Sequence, residues 1–335
     1  MSLAIVGAGM VSPSAMTARQ HAFFAAAGVP APSPSPFVRD TGERIDVRYC
    51  RWLGAVEPLP SRLMQMAQRA IEEATAALVP EVQVSLLVVT SAPRPGLSTE
   101  LLADTARAIA RQRRLGSMQR YEGEAAFFDA LADAGNTLSK QGPQAVCIVA
   151  VDSAVSVDLL ADAVLRPPSP WARAPLPHSE GAAAVVLMSP PNARRVGMPV
   201  IGALQGATTA MGNTRDDNDE PADGVAMTQV LSSMPSTESI AHVFGQSCTD
   251  DLRAQDWYFA SARESARFGT ACVFEGIEDH VGRVGAAAGA MNLVYGLSVL
   301  RHETSALRAP SDSFLAWAIS PDGTRGIAAV RVGAP

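Results

Sequence analysis

Blocks of apolar residues recur along the chain with two different periods. Residues 3–8, LAIVGA, form a short apolar run that reaches a glycine, a buried-strand signal. Residues 30–36 hold too much proline and serine for a helix. In residues 61–78 (SRLMQMAQRAIEEATAAL) apolar positions recur every three or four residues, with Ser61 as N-cap, which predicts a helix. Residues 84–90, VSLLVVT, read as a central strand. Helices are expected over 99–114 and 124–140, and buried strands over 145–151 (AVCIVAV) and 182–188 (AAAVVLM). After Pro190 the pattern restarts, with a strand in 199–210, an acidic turn RDDNDEPADG, a helix over 225–234 and a strand over 240–244. A helix rich in small residues follows at 285–301. At the end, FLAWAIS and GIAAVRV flank PDGTR, a hairpin signal.

Strands alternating with helices predict an α/β protein whose mostly parallel sheets are covered by helices. The repeated order of elements suggests an internal duplication, with halves at 1–192 and 193–335. A length of 335 residues fits two such units. With 47% hydrophobic and 18% charged residues, the chain does not have the composition of a disordered one. A net charge of −6 argues against a nucleic-acid binder that works by neutralising phosphates. No apolar run reaches the length of a membrane span. The opening MSLAIVGAGMVSP has no basic n-region, so a cytoplasmic protein is expected. Cys50, Cys147, Cys248 and Cys272 form no CxxC pair and have no histidine at zinc spacing, so neither a disulfide framework nor a metal site is expected.

Three segments carry a resemblance. AIVGAGMVSP resembles the first strand and turn of β-ketoacyl synthases. AVCIVAVDSAV with PHSEGAAAVVLM, and then HVGRVGAAAGAMNLVYGL, resemble later segments of the same enzymes in order and approximate spacing. The chain therefore resembles a thiolase-fold protein of the ketosynthase-like group over nearly its whole length, though it is shorter than typical elongating synthases. The resemblance implies a thiolase-like fold, with two pseudo-repeated βαβαβαββ halves stacked in five layers, and a homodimer.

Condensing enzymes of that group place a nucleophilic thiolate at a helix N-terminus, where unpaired N–H groups lower its pKa. By resemblance that position falls at Glu124 or Ala125, and no cysteine or serine occurs from Tyr121 to Thr137. The nearest preceding hydroxyl is Ser117. Of the two histidines that polarise the thioester carbonyl, the first maps to Gln246 and the second to Arg283, with His280 three residues earlier. The family's lysine is missing too, because Lys140 is the last lysine of the chain. The resemblance thus implies degenerate catalytic positions and no cofactor.

Other constellations each have a simpler reading. Cys248 and His280 could form a relocated acyl-transfer pair, or be a buried turn residue and a helix-flanking one. Cys147 reads as a core thiol, and His178 as a turn residue before a strand or a polar group at a pocket rim. GAGMVS lacks the third glycine of a dinucleotide fingerprint, since Ser12 takes its place. The acidic run Asp216, Asp217, Asp219, Glu220 and Asp223 lacks the EF-hand pattern, because Thr228 stands at the bidentate position. Trp257, in DDLRAQDWYFAS, is either packed on an amphipathic helix or an exposed anchor for a protein partner.

The leading expectation is a non-catalytic pseudo-ketosynthase that serves as scaffold or adaptor. By resemblance to short ketosynthase-like proteins with a stretch like TDDLRAQDW, its partner would be a type VI secretion effector or spike component. The alternative is an acyltransferase or β-ketoacyl-ACP synthase-type enzyme acting on acyl-ACP or acyl-CoA. A chain-length-factor-like partner of a ketosynthase, binding acyl carrier protein, is a variant of that alternative.

Overall fold

The computed structural model describes residues 2–29, 35–39, 41–112, 118–139, 144–165, 176–213, 222–235, 239–247, 251–302 and 312–333. Its elements run β1 (Leu3–Val11), α1 (Ala18–Ala26), α2 (Leu59–Thr75), β2 (Val84–Thr90), α3 (Thr99–Gln112), β3 (Met118–Glu122), α4 (Ala126–Ser139), β4 (Ala145–Ser153), α5 (Val157–Leu165) and β5 (Glu180–Met188). They continue with α6 (Pro190–Arg195), β6 (Gly202–Met211), α7 (Val225–Ser233), β7 (Ile240–Phe244), α8 (Asp251–Arg263), β8 (Phe268–Glu275), α9 (Ile277–Val281), α10 (Ala288–His302), β9 (Ser313–Ile319) and β10 (Thr324–Val332). The expected boundary after residue 192 falls inside α6.

Among the described residues, ten strands form one sheet in the order β3-β2-β4-β5-β1-β6-β10-β9-β7-β8. Both arms follow the same rule. β3, β2 and β4 are parallel, and β4, β5 and β1 antiparallel. Likewise β8, β7 and β9 are parallel, and β9, β10 and β6 antiparallel. The arms meet in a short antiparallel ladder between Leu3–Ile5 and Gly202–Leu204. The expectation of mostly parallel sheets is thus corrected, because each arm ends in antiparallel returns. The last return is the predicted hairpin, whose short turn between Ile319 and Thr324 excludes a parallel partner.

Helices α4 and α10 lie between the two arms, packed on strands of both. Helices α2 and α3 cover the outside of the first arm, and α7 and α8 the outside of the second. The result is five layers in a thiolase-like fold. The central core joins Phe127, Phe128, Leu131, Met291 and Leu293 to the inner strand faces. Helix α2 starts at Leu59 after Pro58, earlier than predicted, and Ser61 does not cap it but donates to the Glu57 carboxylate.

The opening glycines have a packing role. A methyl group at Gly7 would overlap the Ala74 carbonyl, and one at Gly9 the Ala70 carbonyl. Glycine lets α2 lie against β1, where Glu73 accepts from the Met10 and Ala18 amides at 2.9 and 3.0 Å. The GxG pair seats a helix on a strand and does not cradle a phosphate.

Candidate functional site

The carboxyl ends of β3, β2 and β4 face the start of α4 and the turn before α10. Gly123, at φ +113°, turns the chain from β3 into α4, and its amide donates to the Thr90 carbonyl at 2.9 Å. This turn buries Glu124 and Ala125. The Ala125 amide, one of the unpaired donors at a helix start, donates to Ser320 Oγ at 2.7 Å.

Glu124 is the hub of the site. Gln246, just past β7, donates from Nε2 to Glu124 Oε2 and accepts from the Ile319 amide at 2.7 Å through Oε1. Arg253 on α8, 5% exposed, places Nη2 at 3.1 Å from Glu124 Oε2. Arg283, between α9 and α10, stands further off, its Nη2 at 3.9 Å from Glu124 Oε1. Beneath them Glu278 is buried and accepts from the Ser247 and Val284 amides, both at 3.2 Å. Burial pushes its carboxyl pKa up; the Glu124 charge adds to this, and Arg253 and Arg283 oppose it.

The structure therefore brings Glu124, Gln246 and Arg283 together from three distant segments. The contacts constrain their chemistry. Glu124 presents a carboxylate held by Gln246 and Arg253, and Ala125 a methyl group, so neither can carry an acyl group as a thioester. Both ends of the Gln246 amide are engaged, and an amide does not take up a proton as imidazole does.

Two members of the cluster, Arg253 and Glu278, were not expected from the sequence. The signal for Arg253 was its spacing: Arg253, Asp256, Trp257 and Ala260 recur at i, i+3, i+4 and i+7, and all four are buried on one helix face. Asp256 on that face pairs with buried Arg325. The same spacing corrects the exposed-anchor reading of Trp257. Its indole is 5% exposed and stacks on Trp317 with centroids 5.1 Å apart. The exposed aromatics of α8 are its neighbours Tyr258 and Phe259.

Of the alternative pair, Cys248 lies outside the described residues. His280 is on α9, where its ring lies 6.0 Å from that of Tyr295 and its carbonyl accepts from Arg48 at 2.8 Å. Burial lowers the His280 pKa, against the pull of Asp279 and Glu275. Ser117, Asp216, Asp217, Asp219 and Glu220 also lie outside the described residues, while Asp223 is exposed and accepts from the Val225 amide at 2.8 Å. Cys147 is buried in β4. Among the described residues no group of three or more histidine, cysteine, aspartate or glutamate side chains is placed to hold a metal ion. No helix among them is long and apolar enough to cross a membrane.

No protein-family model matches the chain, and no curated protein matches it. Solved structures do. The chain is similar to AntDE:AntF, a type II PKS acyl-carrier protein in complex with its ketosynthase, at TM-score 0.78 and 16% identity over 98% of this chain and 99% of that one. It is similar to the ketosynthase from module 6 of the bacillaene synthase of Bacillus subtilis 168, at TM-score 0.78 and 13% identity over 100% of this chain and 72% of that one. The ishigamide ketosynthase/chain length factor matches at TM-score 0.70 and 13% identity, over 100% of both chains. The fold is that of ketosynthase-like proteins of the thiolase class.

Proposed function

We propose that this chain is a pseudo-ketosynthase: a thiolase-fold subunit that does not condense acyl groups and acts through protein partners. One observation carries the reading. Where the fold's relatives are expected to hold a thiolate, Glu124 is buried and held by Gln246 and Arg253. A carboxylate in that setting is a poor nucleophile, because one oxygen accepts from Gln246 and lies against the Arg253 guanidinium, which balances its charge. The fold then serves as a rigid scaffold, since fold and chemistry are separable. The structures similar to it include a ketosynthase with an acyl-carrier protein and a ketosynthase/chain length factor, which supports partnering as the role. The narrower forms of the proposal differ in the partner. One is a homodimer that handles secretion effectors, and the other pairs with an intact ketosynthase in the manner of a chain-length factor.

The test is intact-mass spectrometry after incubation with acyl-CoA and acyl-carrier-protein donors. The expected result is no acyl adduct. A stable adduct on the wild-type chain would overturn the proposal, and its loss in Cys248→Ala would place the nucleophile at Cys248.

A further inference from the structure

Helix α1 is apolar on the side that faces solvent as well as on the side that packs. Ala18, His21 and Ala22 are buried, and Ala25 packs on the central core. At about 100° per residue, Arg19, Gln20, Phe23, Phe24 and Ala27 fall on the opposite arc. A surface helix carries polar residues there. Phe23 and Phe24 are instead 45% and 38% exposed, and Val29, just past the helix, is 44% exposed.

The charges beside these rings are positive. The Arg19 guanidinium carbon lies 5.4 Å from the centroid of the Phe23 ring. His302, the last residue of α10, has its ring 6.1 Å from that of Phe23. Burial lowers the His302 pKa, and the charges of neighbouring Arg301 and of Arg19 lower it further. Arg19 and Arg301 are exposed, and neither has an ion-pair partner among the described residues. Arg301 and His302 suit the negative C-terminus of α10. Arg19 has no such reason for its position. It stands in the first turn of α1, where the helix dipole favours anions. Glu73 accepts from the Ala18 amide at that end but forms no ion pair with Arg19.

The charge pattern selects among occupants. A second copy seated about a twofold axis would bring this patch against itself, with arginines facing arginines. A nucleic acid or an anionic lipid surface would meet a chain whose net charge is −6. A protein segment with its own apolar stripe and carboxylates suits both the rings and the cations. We propose that α1 and the end of α10 dock an acidic amphipathic helix of a protein partner, its apolar stripe on Phe23 and Phe24 and its carboxylates toward Arg19 and Arg301. Gly289, near the start of α10, packs beside the Glu124 backbone, and His302 lies about 20 Å further along that helix. Docking therefore leaves the Glu124 cluster untouched. This surface gives the partner role above a location and rests on that role.

The probe is a fluorescein-labelled helical peptide of about 18 residues, with leucine on one stripe and glutamate on the remaining face. It is titrated with the full chain and followed by fluorescence anisotropy. One control peptide replaces every glutamate with lysine, and another every leucine with serine. The expected result is saturable binding of the acidic amphipathic peptide alone, weakening as salt rises. Phe23→Ser should weaken it about tenfold, as truncation of an interface aromatic does. The double variant Arg19→Gln, Arg301→Gln should weaken it several-fold at low salt. All three side chains are exposed, so the variants leave the core intact. Absence of saturable binding to the wild type overturns the proposal, as does binding unchanged in both variants. Equal binding of the lysine peptide, of phosphatidylserine vesicles or of duplex DNA overturns the acidic-helix assignment. A dimer seen by sedimentation and lost in Phe23→Ser overturns it in favour of a self-contact. An acyl adduct would remove the non-catalytic reading while peptide binding stood. Failure of the peptide to bind would remove this surface and leave the unreactive chain as it is.

Discussion

Replacing Glu124 with glutamine tests whether its carboxylate holds the site together. The amide keeps the shape and removes the charge. Arg253, 5% exposed, then faces a neutral partner at a distance that was 3.1 Å. Breaking a buried ion pair by removing one side costs about 3–5 kcal/mol. The Gln246 bond also loses its charge assistance, about 1 kcal/mol. Part of this returns through Glu278. Its pKa is raised partly by the Glu124 charge, so in the variant Glu278 ionises more readily beside Arg253. The net expectation is about 2–4 kcal/mol of destabilisation at neutral pH. Urea unfolding of wild type, Glu124→Gln, Arg253→Gln and the double variant closes a mutant cycle. The coupling energy should exceed about 1 kcal/mol. A value below about 0.5 kcal/mol, the scatter between independent sites, would refute the claim that Arg253 and Glu124 act as a unit.

Glu124→Cys should show no turnover in condensation assays with acyl and malonyl donors, because Gln246 and Arg283 supply no imidazole; turnover by this variant would contradict that account. His21 is buried between the Thr17 carbonyl and Ser12 Oγ, both at 2.7 Å, and burial lowers its pKa to about 4. Its neutral form contributes stability above pH about 6.5 that is lost as pH falls toward 4, by about 3 kcal/mol, and His21→Gln should flatten that part of the pH–stability curve. Gly9→Ala should destabilise by about 2 kcal/mol or more, since the added methyl overlaps the Ala70 carbonyl and the backbone of α2 must move; an unchanged urea midpoint would argue against that packing.

Much of this chain was legible in its apolar pattern. The runs that became β2, β4 and β5 are buried on both faces, so they read as unbroken apolar segments. Helices α2, α3, α4 and α7 have apolar stripes and were expected within a few residues of their ends. β3 and β8 were missed for the opposite reason. They lie at the sheet's two edges and are mostly half-exposed, so no apolar run marks them. Helix α8 turns Arg253, Asp256 and Trp257 inward and leaves Tyr258 and Phe259 exposed, which disguises its inward face as a polar one.

The sequence by itself determined the α/β alternation, its restart after Pro190, and the absence of cysteine or serine from Tyr121 to Thr137. These are local properties, set by which side chains occur and at what period. The tertiary structure decided which charges meet. Glu124, Gln246, Arg253, Glu278 and Arg283 converge only because α4 lies between the arms and the ends of β3, β7 and α9 face its start. It also decided that Trp257 is core. The reason is that burial and pairing depend on long-range register, and no periodicity within one segment records what packs against it.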